Sequence, residues 1–452
     1  MRYAILSLLF PMLLSAEITT SSISSKKASY DGNALVLSGE VELEHALGHL
    51  QSGSARLTRE AEGSPFTSIL LRDDVRITLK NQGEIHCAQA DFDFNDLKGK
   101  LLPARGEMIE FFNLQAEPIS LLSKEAEIEF TETNSTLKVA KIKACKSVQV
   151  QYGDDFLLTA ESATFSNTKT PYVWASPNCV LTHFDDQIEA ERIEILPCSS
   201  KMILSSPSGS LSPSAFSENE SMQFSCNQLV WERAPQTLTL KGNVQVKDSG
   251  IGDLFCEDEV EIGQKEVGEK WTLSHISAKG KTSLQYKLDA DFEHLLVCYG
   301  QMQLDQDRLV LTLESPMGQP LEYFHDTMKL TADHAQLKYA QEGGFIHPEK
   351  LLLQGNIQLA ATGDTSRCAV ADQFAYFPKE KKIVLSTKQD SPVLFWDAEQ
   401  KLSISAKEIH ITRSEKGENV KGVGNVRFAF SSMENTLLKK LFPFYQLGGR
   451  SL

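Results

Sequence analysis

Apolar and polar residues alternate in short runs along most of the chain, which is the pattern of β-strands with one apolar face. Residues 35–43 read Leu-Val-Leu-Ser-Gly-Glu-Val-Glu-Leu, and similar segments lie at 238–246, 351–359 and 420–428. In each segment a central glycine separates two short alternations. By its parity this glycine belongs to the inward face, and we interpret it as a point where the strand bends sharply or something approaches the backbone.

These segments recur at a steady spacing along the chain. Counting weaker copies, the residue two places after the glycine lies at positions 41, 75, 108, 148, 180, 210, 244, 284, 321, 357, 393 and 426. A second element alternates with the first and begins with Ala and a polar, usually acidic, residue, as in Ala332-Asp333 and Ala371-Asp372. The pattern predicts an all-β, elongated protein of twelve repeats of about 35 residues, with bent strands stacked along an axis.

The chain divides into segments of different composition. Residues 1–16 combine Arg2 with a short apolar run that ends in small residues, which predicts a cleaved signal peptide; a retained membrane anchor is the alternative. N-terminal repeats follow at 17–204, a Ser/Pro-rich loop or linker at 205–222, C-terminal repeats at 223–430 and a tail at 431–452. The sequence leaves open whether the Ser/Pro-rich stretch separates two domains. It also leaves open whether the tail caps the last strand or docks on a partner.

Charge and cysteine usage exclude several classes of protein. The net charge is −15 without a basic stripe, so we expect no nucleic-acid partner. The eight cysteines form no CxxC pair, which excludes the usual zinc and thioredoxin-like spacings and leaves any disulfide pairing open. Four of them begin alternating segments where other copies carry Ala, and we interpret these as small buried residues: Cys87, Cys226, Cys256 and Cys368.

Candidate catalytic chemistry is sparse. The closest histidines, His45 and His49, have no cysteine nearby, and we interpret them as surface or turn residues. Acidic pairs such as Asp73-Asp74 fall at turns or strand ends, and the common hydrolase, metalloprotease and nucleotide-binding motifs are absent from the sequence. We therefore expect a protein that is not an enzyme and that uses no metal and no cofactor. A β-helix carbohydrate enzyme with surface acids is the catalytic alternative.

The Gly-Asn-Val-x-Val pattern preceded by Leu-x-Leu, alternating with Ala-Asp-x-Ala-x-Tyr-like strands, resembles the OstA-like family of lipopolysaccharide-transport proteins, and in particular its periplasmic bridge component. The resemblance is clearest at 330–430, followed by 224–246 and 35–58. It implies a β-jellyroll or β-taco, open and solenoid-like, that shields the acyl chains of lipopolysaccharide or a related glycolipid in an apolar groove. It also implies a periplasmic location and transport toward the outer membrane.

The resemblance further implies partners and groove residues. The partners would be inner- and outer-membrane transport components of the same fold, joined through end-strand pairing. The lipid-binding positions that match the family pattern are Val41, Leu43, Val75, Ile77, Val244, Val246, Ile357, Leu359, Val393, Phe395, Val426 and Phe428. A membrane-anchored subunit of the same transport system and a non-catalytic surface β-solenoid or adhesin are the alternative functions.

Overall fold

A computed structural model describes most of the chain. The described residues are 22–45, 48–80, 83–113, 118–133, 136–167, 170–212, 221–233, 236–248, 252–267, 270–287, 293–325, 328–342, 345–361, 367–388, 391–399, 401–414 and 417–430. The regular structure in these ranges is forty β-strands and one short 3-10 helix, Pro197–Ser199. The prediction of an all-β fold is therefore confirmed, while the number of repeats stays a prediction. The predicted signal peptide and tail lie outside these ranges.

No helix in the described ranges is long and apolar enough to cross a membrane. The chain divides into two compact units, residues 1–209 (unit 1) and 210–452 (unit 2). The boundary falls inside the predicted Ser/Pro-rich stretch at 205–222, of which residues 208–211 form a strand. Residues 213–220 of that stretch are outside the described ranges.

The strands follow one another closely along the chain. The first part of the chain contains β1 (Ser22–Ser24), β2 (Lys27–Tyr30), β3 (Ala34–His45), β4 (Gly48–Thr58), β5 (Ser68–Leu79), β6 (Gly83–Asp93), β7 (Lys98–Leu102), β8 (Ile109–Asn113), β9 (Ile119–Ser123), β10 (Glu125–Thr133), β11 (Thr136–Tyr152), β12 (Phe156–Ser166), β13 (Tyr172–Ala175), β14 (Cys179–His183), β15 (Asp186–Ala190), β16 (Arg192–Leu196), β17 (Lys201–Ser205) and β18 (Ser208–Leu211). The second part contains β19 (Met222–Ser225), β20 (Gln228–Glu232), β21 (Thr237–Lys241), β22 (Val244–Asp248), β23 (Gly252–Cys256), β24 (Glu259–Val267), β25 (Lys270–Lys279), β26 (Thr282–Lys287), β27 (Glu293–Cys298), β28 (Gln301–Asp305), β29 (Val310–Glu314), β30 (Leu321–His325), β31 (Met328–Ala332), β32 (His334–Glu342), β33 (Phe345–Ala361), β34 (Arg367–Phe377), β35 (Lys382–Ser386), β36 (Val393–Asp397), β37 (Leu402–Ala406), β38 (Glu408–Ser414), β39 (Gly417–Val423) and β40 (Arg427–Phe430).

Each unit is built from two antiparallel ladders, which we call A and B. In unit 2 the A ladder runs through β20, β21, β24, β25, β28, β29, β32, β33, β34, β35, β38 and β39. The B ladder runs through β19, β22, β23, β26, β27, β30, β31, β33, β34, β36, β37 and β40. The long strands β33 and β34 bend and therefore belong to both ladders.

Unit 1 has the same two-ladder arrangement. Its A ladder contains β2, β7, β10, β13, β16 and β17, and its B ladder contains β1, β8, β9, β14 and β15. The bent strands β3, β4, β5, β6, β11 and β12 contribute one end to each ladder. Unit 1 therefore has six bent strands beside its pairs of short strands, whereas unit 2 has two bent strands and is otherwise built from pairs of short strands.

The connections between strands follow one rule in the described strands of both units. The chain passes from ladder A to ladder B, or back, at a corner, as between β21 and β22 or between β23 and β24. At the other end of each strand a hairpin joins neighbours of the same ladder, as between β22 and β23. The two ladders of a unit are therefore covalently linked along one side, the corner side, and not along the opposite side, which we call the rim.

The repeat glycine forms the corner and does not face the interior as its parity predicts. Gly355 and Asn356 have φ values of +78° and +46°, a left-handed pair that turns β33 from ladder A into ladder B. A Cβ on Gly355 would lie 2.3 Å from Oδ2 of Asp333. The Asn356 side-chain amide donates a hydrogen bond to that same oxygen at 2.8 Å. The Gly-Asn and Ala-Asp elements of the sequence are therefore neighbouring corners that pack on each other.

Candidate functional site: the interior between the ladders

Inward side chains of the two ladders meet in each unit. In unit 1 the rings of Phe111, from ladder B, and Phe165, from ladder A, have centroids 5.4 Å apart. In unit 2 Tyr323, from ladder B, and Phe374, from ladder A, have ring centroids 6.2 Å apart. We take the space between the ladders, here called the interior, as the candidate site because it receives the residues that the sequence predicts for lipid binding.

Inward residues of ladder B in unit 2 form rows that cross the strands. The row beside the corners contains Val244, Cys256, Thr282, Cys298, Leu321, Ala332, Ile357, Ala371, Val393 and Ala406. The middle row contains Val246, Leu254, Leu284, Leu296, Tyr323, Leu330, Leu359, Ala369, Phe395 and Ile404. Every member of both rows is buried. Ladder B of unit 2 therefore presents a continuous and mostly aliphatic surface to the interior.

The structure places most of the predicted lipid-binding residues in these rows or in their counterparts in unit 1. Buried inward positions are occupied by Val41, Val75, Ile77, Val244, Val246, Ile357, Leu359, Val393 and Phe395. Leu43 is half-buried. Val426 and Phe428 are 36% and 55% exposed, because β40 is the last described strand and its described pairing is with β37 alone. The lipid-binding role of all these residues stays a prediction.

Part of the interior of unit 2 is filled by its own side chains. Near β22 the space between the ladders is a cavity of about 10 Å³, lined by Val246, Gly252, Leu254, Ile262, Ile276, Met302, Leu304 and Leu311. A cavity must offer roughly 10–15 Å³ to hold even one water molecule. An acyl chain can therefore occupy this part of the interior only if the two ladders move apart there.

Buried thiols show that the corner-side rows are desolvated. Burial raises the pKa of the Cys87 thiol to about 12 and that of Cys226 to about 11, because the thiolate would be poorly solvated there. Cys256 is buried in the corner-side row, and Cys368 is buried elsewhere in β34. The interpretation of these four cysteines as small buried residues is confirmed.

The row of ladder B nearest the rim differs in chemistry from the two rows beside it. In unit 2 this rim row contains Asp248, Gly252, Tyr286, His294, His325, Met328, Ala361, Arg367 and Asp397. Arg367 Nε lies 2.9 Å from Oδ2 of the buried Asp397. Sequence reasoning missed this row, since its members share no motif and only the register between strands brings them together.

The histidines and acidic pairs singled out in the sequence occupy unremarkable positions. Asp73 and Asp74 form a corner, with φ values of +66° and +51°. Nδ1 of His49 lies 2.7 Å from Oε1 of Glu44, while the side chain of His45 is outside the described part. In the ranges that the structure describes, no group of three or more His, Cys, Asp or Glu side chains could hold a metal ion.

The chain has a weak similarity to a solved protein structure and no match to a protein family. No protein family matches the chain, and no curated protein matches it either. Among solved structures, the chain is similar to LptH, the LptA-homologous periplasmic component of the lipopolysaccharide transport device of Pseudomonas aeruginosa. The identity is 12%, the alignment covers 28% of this chain and 87% of LptH, and the TM-score is 0.22.

Proposed function

We propose that the chain is a non-catalytic, periplasmic carrier of an amphiphilic lipid, lipopolysaccharide or a related glycolipid, whose acyl chains lie between ladders A and B. The resemblance of the repeat to the OstA-like family supports this choice of lipid. The predicted signal peptide supports export.

One structural observation carries the proposal. The ladders of each unit are joined by the chain at the corner side, whereas at the rim they meet through side chains only in the described strands. An apolar interior that is hinged along one side can open along the other. Separation at the rim would expose the aliphatic rows of ladder B to an entering acyl chain.

The energetics favour a carrier over a tight receptor. Each buried CH₂ of an acyl chain contributes about 0.8 kcal/mol. Opening the interior, however, removes contacts among side chains such as Leu254 and Ile262, which line opposite walls of the small cavity. The lipid replaces one apolar contact by another, so the net gain is small. Because the rows continue from strand to strand, the lipid can also move along them, and the energy for directed transport would come from a partner.

The end of the described array suits the proposed partners. In β40 the side chains of Phe428 and Phe430 are 55% and 80% exposed, and the described pairing of this strand is on one side only. A strand of another chain with the same fold could add to such an edge, with backbone hydrogen bonds giving affinity and the phenylalanines giving apolar contact.

A second candidate, a structural β-solenoid without lipid, is favoured by the filled interior. The two central aromatic residues Tyr323 and Phe374 are 1% and 0% exposed, so this part of the core of unit 2 is filled without a ligand. In this role the repeats would supply length and surface, as in an adhesin.

Photo-crosslinking separates the two functions. A small diazirine amino acid is placed at the inward Ile357 or Val244 of the full exported chain, and at the adjacent Gln358 or Gln245 as matched controls. Ile357 and Val244 are each 0% exposed, whereas Gln245 is exposed and Gln358 half-buried on the opposite face. After irradiation in a Gram-negative host, adducts are identified by mass spectrometry. A carrier gives lipid adducts at the inward positions alone.

The absence of adducts at every position would favour the structural role, provided that the variants are exported and unfold cooperatively like the unmodified protein. The control positions are limited to these two strands because Val426 and Arg427, at the start of β40, are both exposed, so an inward and an outward position cannot be distinguished there.

A further inference from the structure

The rim row of unit 2 contains a stack of aromatic rings at the edge of the apolar interior. Tyr286 lies opposite His294 in the register of β26 and β27, and His294 lies opposite His325 in that of β27 and β30. Their ring centroids are 5.5 Å and 4.4 Å apart, respectively. Tyr376 of ladder A approaches His294 and His325, at 6.1 Å from each. The stack therefore bridges the two ladders where unit 2 would open.

Two tyrosines of this cluster differ in how their hydroxyl groups are satisfied. The Tyr323 hydroxyl lies 2.7 Å from Nδ1 of His294, a short hydrogen bond within the core. Tyr286 is 6% exposed, and its hydroxyl has no hydrogen-bond partner among the described residues. A buried hydroxyl without a partner is costly and therefore uncommon in native proteins. Burial also raises the pKa of Tyr286 well above its ordinary value, so the group stays a neutral donor.

The base of the Tyr286 side chain packs on a residue that lines the cavity between the ladders. Gly252 lines that cavity. A Cβ on Gly252 would lie 2.9 Å from the Cβ of Tyr286, so the glycine packs directly on the tyrosine. A ligand that widened this cavity would therefore reach the rim beside Tyr286.

We propose that the Tyr286 hydroxyl donates a hydrogen bond to an oxygen of the bound lipid, which makes unit 2 selective for acyl chains that carry a hydroxyl group or an ester carbonyl. This inference rests on the proposed carrier function and adds a specificity-determining residue to it. Plain acyl chains fill the aliphatic rows equally well but leave the hydroxyl unpartnered. The selectivity therefore comes from one donor at the rim, placed next to an otherwise apolar surface.

The experiment compares three proteins and three ligands. Binding of octadecane, of octadecan-1-ol and of methyl octadecanoate is measured by calorimetry for the full-length wild type, for Tyr286→Phe and for Tyr323→Phe. We expect the wild type to prefer one of the oxygen-bearing ligands by about tenfold, the value of one net hydrogen bond. Tyr286→Phe abolishes this preference, while Tyr323→Phe keeps it. The preferred ligand shows whether a hydroxyl or an ester carbonyl is the acceptor.

The melting temperature of the lipid-free proteins gives a second measurement. Tyr286→Phe removes an unsatisfied buried hydroxyl and should raise the melting temperature. Tyr323→Phe breaks the hydrogen bond to His294 and should lower the melting temperature.

The outcomes distinguish this inference from the carrier function itself. A wild type that binds all three ligands equally, or a Tyr286→Phe variant that keeps the preference, overturns the role of Tyr286 and leaves the carrier function standing. A folded wild type that binds none of the ligands contradicts both.

Discussion

The corners of the two units have nearly the same backbone but different residues. In unit 2 the left-handed pairs are Gly242-Asn243, Gly355-Asn356 and Gly424-Asn425, with every φ between +44° and +78°. In unit 1 one corner is Gly39-Glu40, with φ values of +80° and +51°, while Asp73-Asp74 and Lys146-Ser147 adopt φ values from +51° to +66° without a glycine. Residues with a Cβ avoid this region, at a cost of about 1 kcal/mol each. Where the glycine is absent, the corner is therefore imposed by the apolar residues on either side of it.

The rim rows of the two units also differ in their residues. Unit 1 has Leu79, Ile119, Tyr152 and Phe156 in this row together with the adjacent His183 and Asp186, and the register also assigns His45 and Asn113 to it. Unit 2 has polar or charged residues at intervals along the row, ending in the ion pair of Arg367 and Asp397. Unit 2 thus has three Gly-Asn corners and a rim row with charged residues at intervals, whereas unit 1 has corners of more varied sequence and a rim row that is apolar over β9, β11 and β12.

The largest expected effect concerns the charged end of the rim row. Arg367→Met leaves the carboxylate of Asp397, which is 3% exposed, without its cation and should lower the free energy of unfolding by about 3 kcal/mol. Urea unfolding measures this loss. Arg308→Met is the matched control. The Arg308 side chain is 83% exposed, and its Nε lies 3.5 Å from Oδ2 of Asp305 at the surface. This substitution should lower the free energy of unfolding by less than about 0.5 kcal/mol.

The double variant Arg367→Met with Asp397→Leu removes both charges and should recover most of the stability. If the single Arg367→Met variant is as stable as the wild type, the rim of unit 2 does not depend on this pair.

A smaller loss is expected at the regular corners of unit 2. Gly355→Ala must adopt a φ of +78° and places a Cβ 2.3 Å from Oδ2 of Asp333, so it should cost about 2 kcal/mol. Gly318→Ala has a φ of +89° but no atom within 4 Å of the added Cβ, and should cost about 1 kcal/mol. The difference between the two, measured by thermal or urea unfolding, isolates the packing of the Gly-Asn corner on the Ala-Asp corner. Equal losses would mean that this packing is unimportant.

The smallest effect has the opposite sign and concerns unit 1. Ser147→Gly relieves a φ of +59° and should raise the free energy of unfolding by about 0.5–1 kcal/mol. Gln149→Gly, two residues later in β11, has no such strain to relieve and should lower it by a similar amount. A loss of stability in Ser147→Gly would show that the corner of unit 1 is not strained.

Much of the fold could be predicted from alternation alone. Alternation places Val75 and Val148 on the inward face although the corners before them contain no glycine. Apolar residues of the same parity lie on both sides of Asp73-Asp74 and of Lys146-Ser147. The bend at the close copies was predicted, but its geometry was wrong in one respect, since Gly355 turns the chain and does not face the interior. Parity continues across the corner because two residues are used in the turn.

The rim row and the filled interior could not be predicted. Tyr286, His294 and His325 lie in three different strands, and only the pairing of β26, β27 and β30 brings them together. Whether two apolar ladders meet or leave a groove depends on the distance between them, which no single strand encodes. The exposure of Phe428 likewise depends on which strand follows β40 in the ladder and not on its own alternation.

The most direct test of a lipid-accepting interior compares the two units in one crosslinking experiment. The diazirine residue is placed at Val75 in unit 1 and at Ile357 in unit 2, both 0% exposed, with Arg76 and Gln358 as the neighbouring outward positions. The carrier function predicts lipid adducts at Val75 and Ile357 and none at Arg76 or Gln358. Folded variants that yield no adduct at either inward position, or equal adducts at all four, would contradict it.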